Sequence, residues 1–115
     1  MASAGIHVLL DLYELPGDTD CKALAVLTRA ASIAQLTILG TLQHKFKPQG
    51  ISILLLLAES HLSIHTWPEK RYASVDIYSC DGDHPVEDAV EYILRELKPG
   101  RYSINISPRG RALEG

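Results

Sequence analysis

Positions 59 to 69 read ESHLSIHTWPE, which sets the carboxylates Glu59 and Glu69, the hydroxyls Ser60 and Ser63, and the imidazoles His61 and His65 within eleven residues. A hydroxyl next to bases and acids is the raw material of nucleophilic and general acid-base chemistry. A thiol, Cys80, follows beyond the next strand-like stretch. If residues 62 to 66 are extended, alternation puts His61, Ser63 and His65 on one face and Leu62 and Ile64 on the other. That polar face reads either as a reaction site or as the solvated side of an edge strand, and the pattern alone does not choose between them. A hydrolytic Ser-His-Asp set would recruit Asp76 or Asp81, but no GxSxG turn surrounds a serine. The two cysteines, Cys21 and Cys80, form no CxxC pair and lie near no histidine cluster at metal spacing, so we expect neither a disulfide framework nor a metal site.

These groups need elements to position them. Gly5 to Tyr13, GIHVLLDLY, reads as a strand with His7 and Asp11 on one face and Val8, Leu10 and Leu12 on the other. After Pro16-Gly17, Asp18, Thr19 or Asp20 offers a cap for a helix whose Leu24, Leu27, Ala30, Ala31 and Ala34 keep helical spacing to about Leu36. Leu36 to Phe46 and Ile51 to Ala58 read as a hairpin turned at KPQG. Leu62 to Thr66 and Tyr72 to Ser79 follow as strands turned near Pro68, the second alternating cleanly. Pro85 opens a second helix whose Val86, Ala89, Val90, Ile93, Leu94 and Leu97 trace one apolar stripe. Pro99-Gly100 stops it, Arg101 to Ser107 reads as a last strand, and the tail from Pro108 is expected to be mobile.

The order β-α-β-β-β-β-α-β predicts an α+β two-layer sandwich, a mostly antiparallel sheet with two helices on one face. The 115 residues suit a single domain, 1–115, and the other face of the sheet is free to meet a second copy in an αββα homodimer. Apolar residues make up 46% and charged residues 22%, a globular balance. A formal charge of −3 with scattered basic residues argues against nucleic acid as a partner, and no run is long enough to span a membrane. The start, MASAG, lacks the pattern of a secretory signal, so a cytoplasmic location is expected.

The run ESHLSIHTWPE, continued by YASVDIYSC, resembles the signature of the prokaryotic S-adenosylmethionine decarboxylase proenzymes, which are pyruvoyl-dependent. The resemblance implies that the chain cuts itself between Glu59 and Ser60, giving residues 1–59 and 60–115. Ser60 would become the pyruvoyl group, which forms a Schiff base with the substrate amine and makes an external cofactor unnecessary. His65 matches the processing base, Ser52 a serine that assists processing, and Cys80 the proton donor of decarboxylation. Glu69 matches a carboxylate that binds ribose hydroxyls and Phe46 an aromatic that stacks on adenine. The implied substrate is S-adenosylmethionine, and the product would serve spermidine and polyamine biosynthesis.

Three departures stand beside this match: Lys70-Arg71 where an aromatic and a glycine are commoner, Ala58 where Ser or Pro is commoner, and Asp81-Gly82 after Cys80 in place of Gly. Two alternatives share the fold, a pyruvoyl-dependent arginine decarboxylase and a non-processing regulatory paralogue.

Overall fold

A computed structural model describes residues 5–80 and 84–114. Six strands, β1 (Gly5–Tyr13), β2 (Ile38–Lys45), β3 (Ile51–Leu57), β4 (Ser60–Trp67), β5 (Tyr72–Ser79) and β6 (Arg101–Arg109), alternate with two helices, α1 (Thr19–Ile33) and α2 (Val86–Leu97). The strands form one sheet in the order β2-β3-β4-β5-β1-β6, and every neighbouring pair is antiparallel.

Alternation decides which side of this sheet is dry. Val8, Leu10 and Leu12 of β1, Ile53, Leu55 and Leu57 of β3, Leu62 and Ile64 of β4, and Val75 and Ile77 of β5 are buried in a single cluster with the inner faces of both helices. On α1 that face is mainly small, Ala23, Ala30 and Ala31 around Val26 and Leu27, so its backbone can come close to the strands. On α2 it is the expected stripe of Val86, Ala89, Val90, Ile93 and Leu97.

The expected α+β two-layer architecture is thus present, with local differences. Along the aliphatic run of β3 burial alternates: Ile53, Leu55 and Leu57 are buried, whereas Leu54 and Leu56 point away from the helices and are exposed. Asp18 occupies the N-cap of α1 without a side-chain cap, and Asp20 in the first turn is turned to tertiary partners. Its carboxylate accepts the Gly50 N–H at 3.0 Å and the Thr66 hydroxyl at 2.6 Å, tying the start of α1 to the ends of β3 and β4. The last strand continues through Pro108 and Arg109, and a short 3-10 turn covers Arg111–Glu114, where a mobile tail was expected. β6 is an edge strand, and a proline is tolerated at an edge because no further strand needs its missing N–H.

Leu55 is fully buried at the centre of β3. Leu55→Ala should cost about 2–5 kcal/mol, the usual range for emptying a core leucine site. Guanidinium unfolding followed by circular dichroism would read this as a lower midpoint with little change in slope.

Candidate active site

The face away from the helices carries the chemistry. The turn Ala58-Glu59 joins β3 to β4, and Leu57 pairs with Ser60 across it. Ser60 has φ of 153°, a backbone region in which an L side chain is crowded and which is otherwise nearly confined to glycine. Such a residue stores on the order of 1–3 kcal/mol of strain and persists only where its surroundings fix it.

They fix it from several sides. The Glu59 carbonyl oxygen accepts the Cys80 N–H at 3.0 Å and the Cys80 thiol at 2.9 Å. The Glu59 carboxylate accepts the Thr37 N–H at 3.0 Å, and the Ala58 N–H donates back to the Thr37 carbonyl at 2.9 Å. Because β5 pairs with β4 in a register that sets Ser79 opposite Ser60, Cys80 arrives beside the turn by strand pairing, not by sequence proximity.

The other expected residues stand at the opposite end of the same strands. His65 Nδ1 and the Ser52 hydroxyl share a 2.8 Å hydrogen bond, as their direct pairing across β3 and β4 requires. Phe46, Ser52, His65, Trp67 and Glu69 line one cleft of about 250 Å3. Ser60 and His65 lie five positions apart on β4, about 16 Å at the usual rise of a strand. Within one chain the structure therefore groups Glu59, Ser60 and Cys80 at one end, and Phe46, Ser52, His65 and Glu69 at the other.

Between the two ends lies a network that the sequence did not resolve. Asp76 of β5 accepts His7 Nε2–H at 2.7 Å, His61 Nε2–H at 2.9 Å, and the Ser63 hydroxyl. Asp76 so engaged does not serve Ser60 in a hydrolytic triad, and Asp81, the other acid considered, lies outside the described residues. The candidate ligand atoms of His7, His61 and Asp76 fall within 4.8 Å of one another, a spacing that would suit a metal ion. Arg109 Nη1, however, stands 3.1 Å from His7 Nδ1 and can only donate, so the neutral His7 ring carries its proton on Nε2, toward Asp76. That nitrogen then has no lone pair for a metal.

Burial alone would push the Asp76 carboxyl up, but the hydrogen bonds from Ser63, His7 and His61 outweigh it and hold its pKa below the ordinary carboxylate range. Alongside, the Tyr72 hydroxyl donates to Asp11 at 2.5 Å, and burial together with that bond and the Asp11 charge pushes its pKa up to about 12. His7 and Asp11, which the sequence placed on this face without a role, are thus tied into it. Trp67 and Tyr72 stack at 5.4 Å between ring centroids and lead from the cleft toward Tyr13. Neither the Asp76 network nor the Thr37 contact had a local sequence signal, since each joins residues brought together by strand register.

A serine on a strained turn, donors on the adjacent carbonyl, and acid-base side chains along an open sheet face are the groups an enzyme of the two-layer α+β class would use. The family model for S-adenosylmethionine decarboxylase matches residues 6–110, and the chain belongs to that family. It is 43% identical over 111 residues to the S-adenosylmethionine decarboxylase proenzyme of Sulfurihydrogenibium sp. (strain YO3AOP1), covering 92% of this chain and 82% of that one. It is 41% identical over 98 residues to the proenzyme of Thermoplasma volcanium, covering 83% of this chain and 75% of that one. The crystal structure of the adenosylmethionine decarboxylase from Aquifex aeolicus superimposes with a TM-score of 0.88 at 35% identity, covering 96% of this chain and 93% of that one.

The depressed Asp76 pKa has a sign that can be tested. The stability it contributes is present above its unfolded value of about 3.9 and is lost as pH falls through the lower folded value. Asp76→Asn should be less stable at neutral pH and should flatten the stability curve below about pH 4. Unfolding midpoints measured from pH 2 to 7 on both proteins would show the two curves converging toward acid.

Proposed function

We propose that the chain is a self-processing decarboxylase of S-adenosylmethionine whose catalytic group is made from Ser60. The observation that carries this reading is the Glu59 carbonyl, fixed by two donors from Cys80 and followed by a serine in a strained conformation. For a serine to cut its own chain, its hydroxyl must attack the preceding carbonyl, and negative charge then develops on the carbonyl oxygen. Donors already at 2.9 and 3.0 Å are placed to take that charge, as in an oxyanion hole. The oxygen-carbon bond forms, the Glu59–Ser60 carbon-nitrogen bond breaks, and the proton passes from hydroxyl to amine. Removal of the Ser60 α-proton then expels Glu59 as a carboxylate that keeps the serine oxygen, and the dehydroalanine left at position 60 would tautomerise, add water and lose ammonia to give a pyruvoyl group.

The surroundings of Ser60 fit a pyruvoyl group, since the Cys80 thiol stands within hydrogen-bond distance of the atoms that would flank it. A pyruvoyl group supplies the electron sink that loss of CO2 from an α-amino acid needs. The Cys80 thiol is then the proton donor to the substrate α-carbon. Phe46 offers a ring for the purine, and Glu69 a carboxylate for the ribose hydroxyls. Decarboxylated S-adenosylmethionine would serve as an aminopropyl donor for spermidine. This reading places the enzyme in the cytoplasm.

His65 cannot serve Ser60 of its own chain from the far end of β4, and this supports a homodimer built on the open face. A two-fold axis lying between two such faces and across the strands would carry the His65 end of one copy onto the Ser60 end of the other. The open face bears exposed Leu9, Leu42, Leu54, Leu56 and Trp67 around its polar centre, apolar area that a second sheet would cover. The 250 Å3 cleft is also smaller than the roughly 300–1,000 Å3 usual for small-molecule sites, as half of a shared site should be.

Intact mass should show fragments 1–59 and 60–115 for the wild type and one uncut chain for Ser60→Ala, which should also release no CO2. Release of labelled CO2 from arginine alone, and none from S-adenosylmethionine, would overturn the substrate assignment in favour of the arginine paralogue. A wild type that stays uncut would favour the non-processing one.

For the shared site, Ser60→Ala and His65→Ala chains are each expected to be inactive alone. Co-expressed, they should recover roughly a quarter of wild-type activity, the statistical share of intact sites in a two-fold dimer. No recovery would place both residues in one chain's site.

A further inference from the structure

His84, just before α2, has no role so far, yet it lies 47 residues beyond Thr37 in the chain and meets the same side chain. Its Nδ1–H donates to the Ala34 carbonyl at the end of α1, at 3.1 Å. Its Nε2 then faces Glu59 Oε2 at 3.9 Å, with both side chains largely shielded, at 17% and 18% exposure. Thr37 N–H holds the other oxygen of the same carboxylate at 3.0 Å. The Glu59 carboxylate is therefore hydrogen-bonded by the lead-in to β2 and faced at 3.9 Å by an imidazole anchored on the end of α1, while its carbonyl sits on Cys80.

We propose that His84 is a positioning residue for self-cleavage, acting through the Glu59 carboxylate to keep the scissile carbonyl on the two Cys80 donors. The inference rests on the reading that the Glu59–Ser60 bond is cut. The physical need is plain: a two-residue hairpin turn is the loosest part of a sheet, and Ser60 must attack a carbonyl that does not rotate away. A reacting group displaced by about 1 Å loses on the order of 100-fold in rate. The backbone bond between Ala58 and Thr37 fixes the turn as a whole, and the contacts of the Glu59 side chain act with the two Cys80 donors to restrain rotation of the Glu59 peptide itself. With Nδ1–H on Ala34, the attraction His84 can exert on Glu59 is the ion pair of the imidazolium through Nε2–H, and once the bond is cut it faces a residue that carries a second carboxylate.

The test compares cleavage in wild type, His84→Ala, Glu59→Gln and the double variant, following each chain by intact mass after rapid purification and by thermal melting for the fold. His84→Ala should slow cleavage by about tenfold or more while melting cooperatively. The uncut precursor should resist neutral hydroxylamine, because a stalled acyl shift leaves an amide. Hydroxylamine-labile precursor would place His84 in the later elimination and overturn the proposal. The double variant should be no slower than the slower single variant, since both substitutions remove one contact; additive slowing would show that His84 does not act through Glu59. If wild type is cut and His84→Ala keeps its rate, this inference alone fails. If wild type itself is never cut, the cleavage reading fails, whatever His84 does.

Discussion

Two helices can cover only one face of a six-stranded sheet, and the site depends on the other face being left open. Each strand sends alternate side chains to that bare face. On β1, β4 and β5 they are His7, Asp11, His61, Ser63, His65, Ser74 and Asp76, and on β3 they are Ser52, Leu54 and Leu56. A face meant for water would not combine so many leucines with a carboxylate that is already saturated by donors.

The same alternation explains why the chemistry splits into two groups. Strand pairing fixes side chains along β3, β4 and β5 by register, so Ser52 must face His65, and Ser60 must face Ser79 with Cys80 next to it. Both groupings are rigid, and both are held at opposite ends of strands whose length is set by the core. Flexibility cannot bring them together without unzipping the sheet. The strained φ of Ser60 is tolerated for the same reason, because strand pairing on both sides over-determines that position.

Much of this was legible in the sequence. Period-2 alternation in YASVDIYS and the helical stripe from Val86 to Leu97 fixed element types, and two helices among six strands fixed the layers. The resemblance of ESHLSIHTWPE and its continuation YASVDIYSC picked out Ser60, His65 and Cys80, but gave no hint that they stand at two ends. What escaped was long-range. The Ser63–Asp76, Thr37–Glu59 and His84–Glu59 contacts each depend on register or on how a helix end meets a turn, and no local pattern encodes them. The aliphatic run from Ile53 to Leu57 carries no alternation of its own, so the sequence does not tell which of its leucines face the helices; pairing with β4 decides it. Asp20 looked like a cap because Asp often is one, whereas here a tertiary partner, Gly50, competes for its carboxylate.

The topology also explains how such a chain would survive a cut at its turn. Fragment 1–59 would hold β1, α1, β2 and β3, and fragment 60–115 would hold β4, β5, α2 and β6. In the sheet order β2-β3-β4-β5-β1-β6 these strands interleave, with β1 of the first fragment lodged between β5 and β6 of the second. Separating the fragments would break the β3–β4, β5–β1 and β1–β6 ladders and split a core to which α1 and α2 both contribute. Cutting the turn removes one covalent link and no strand pairing. The new ends remain where the hairpin held them, so a group generated at position 60 would inherit the position that the uncut fold had already defined.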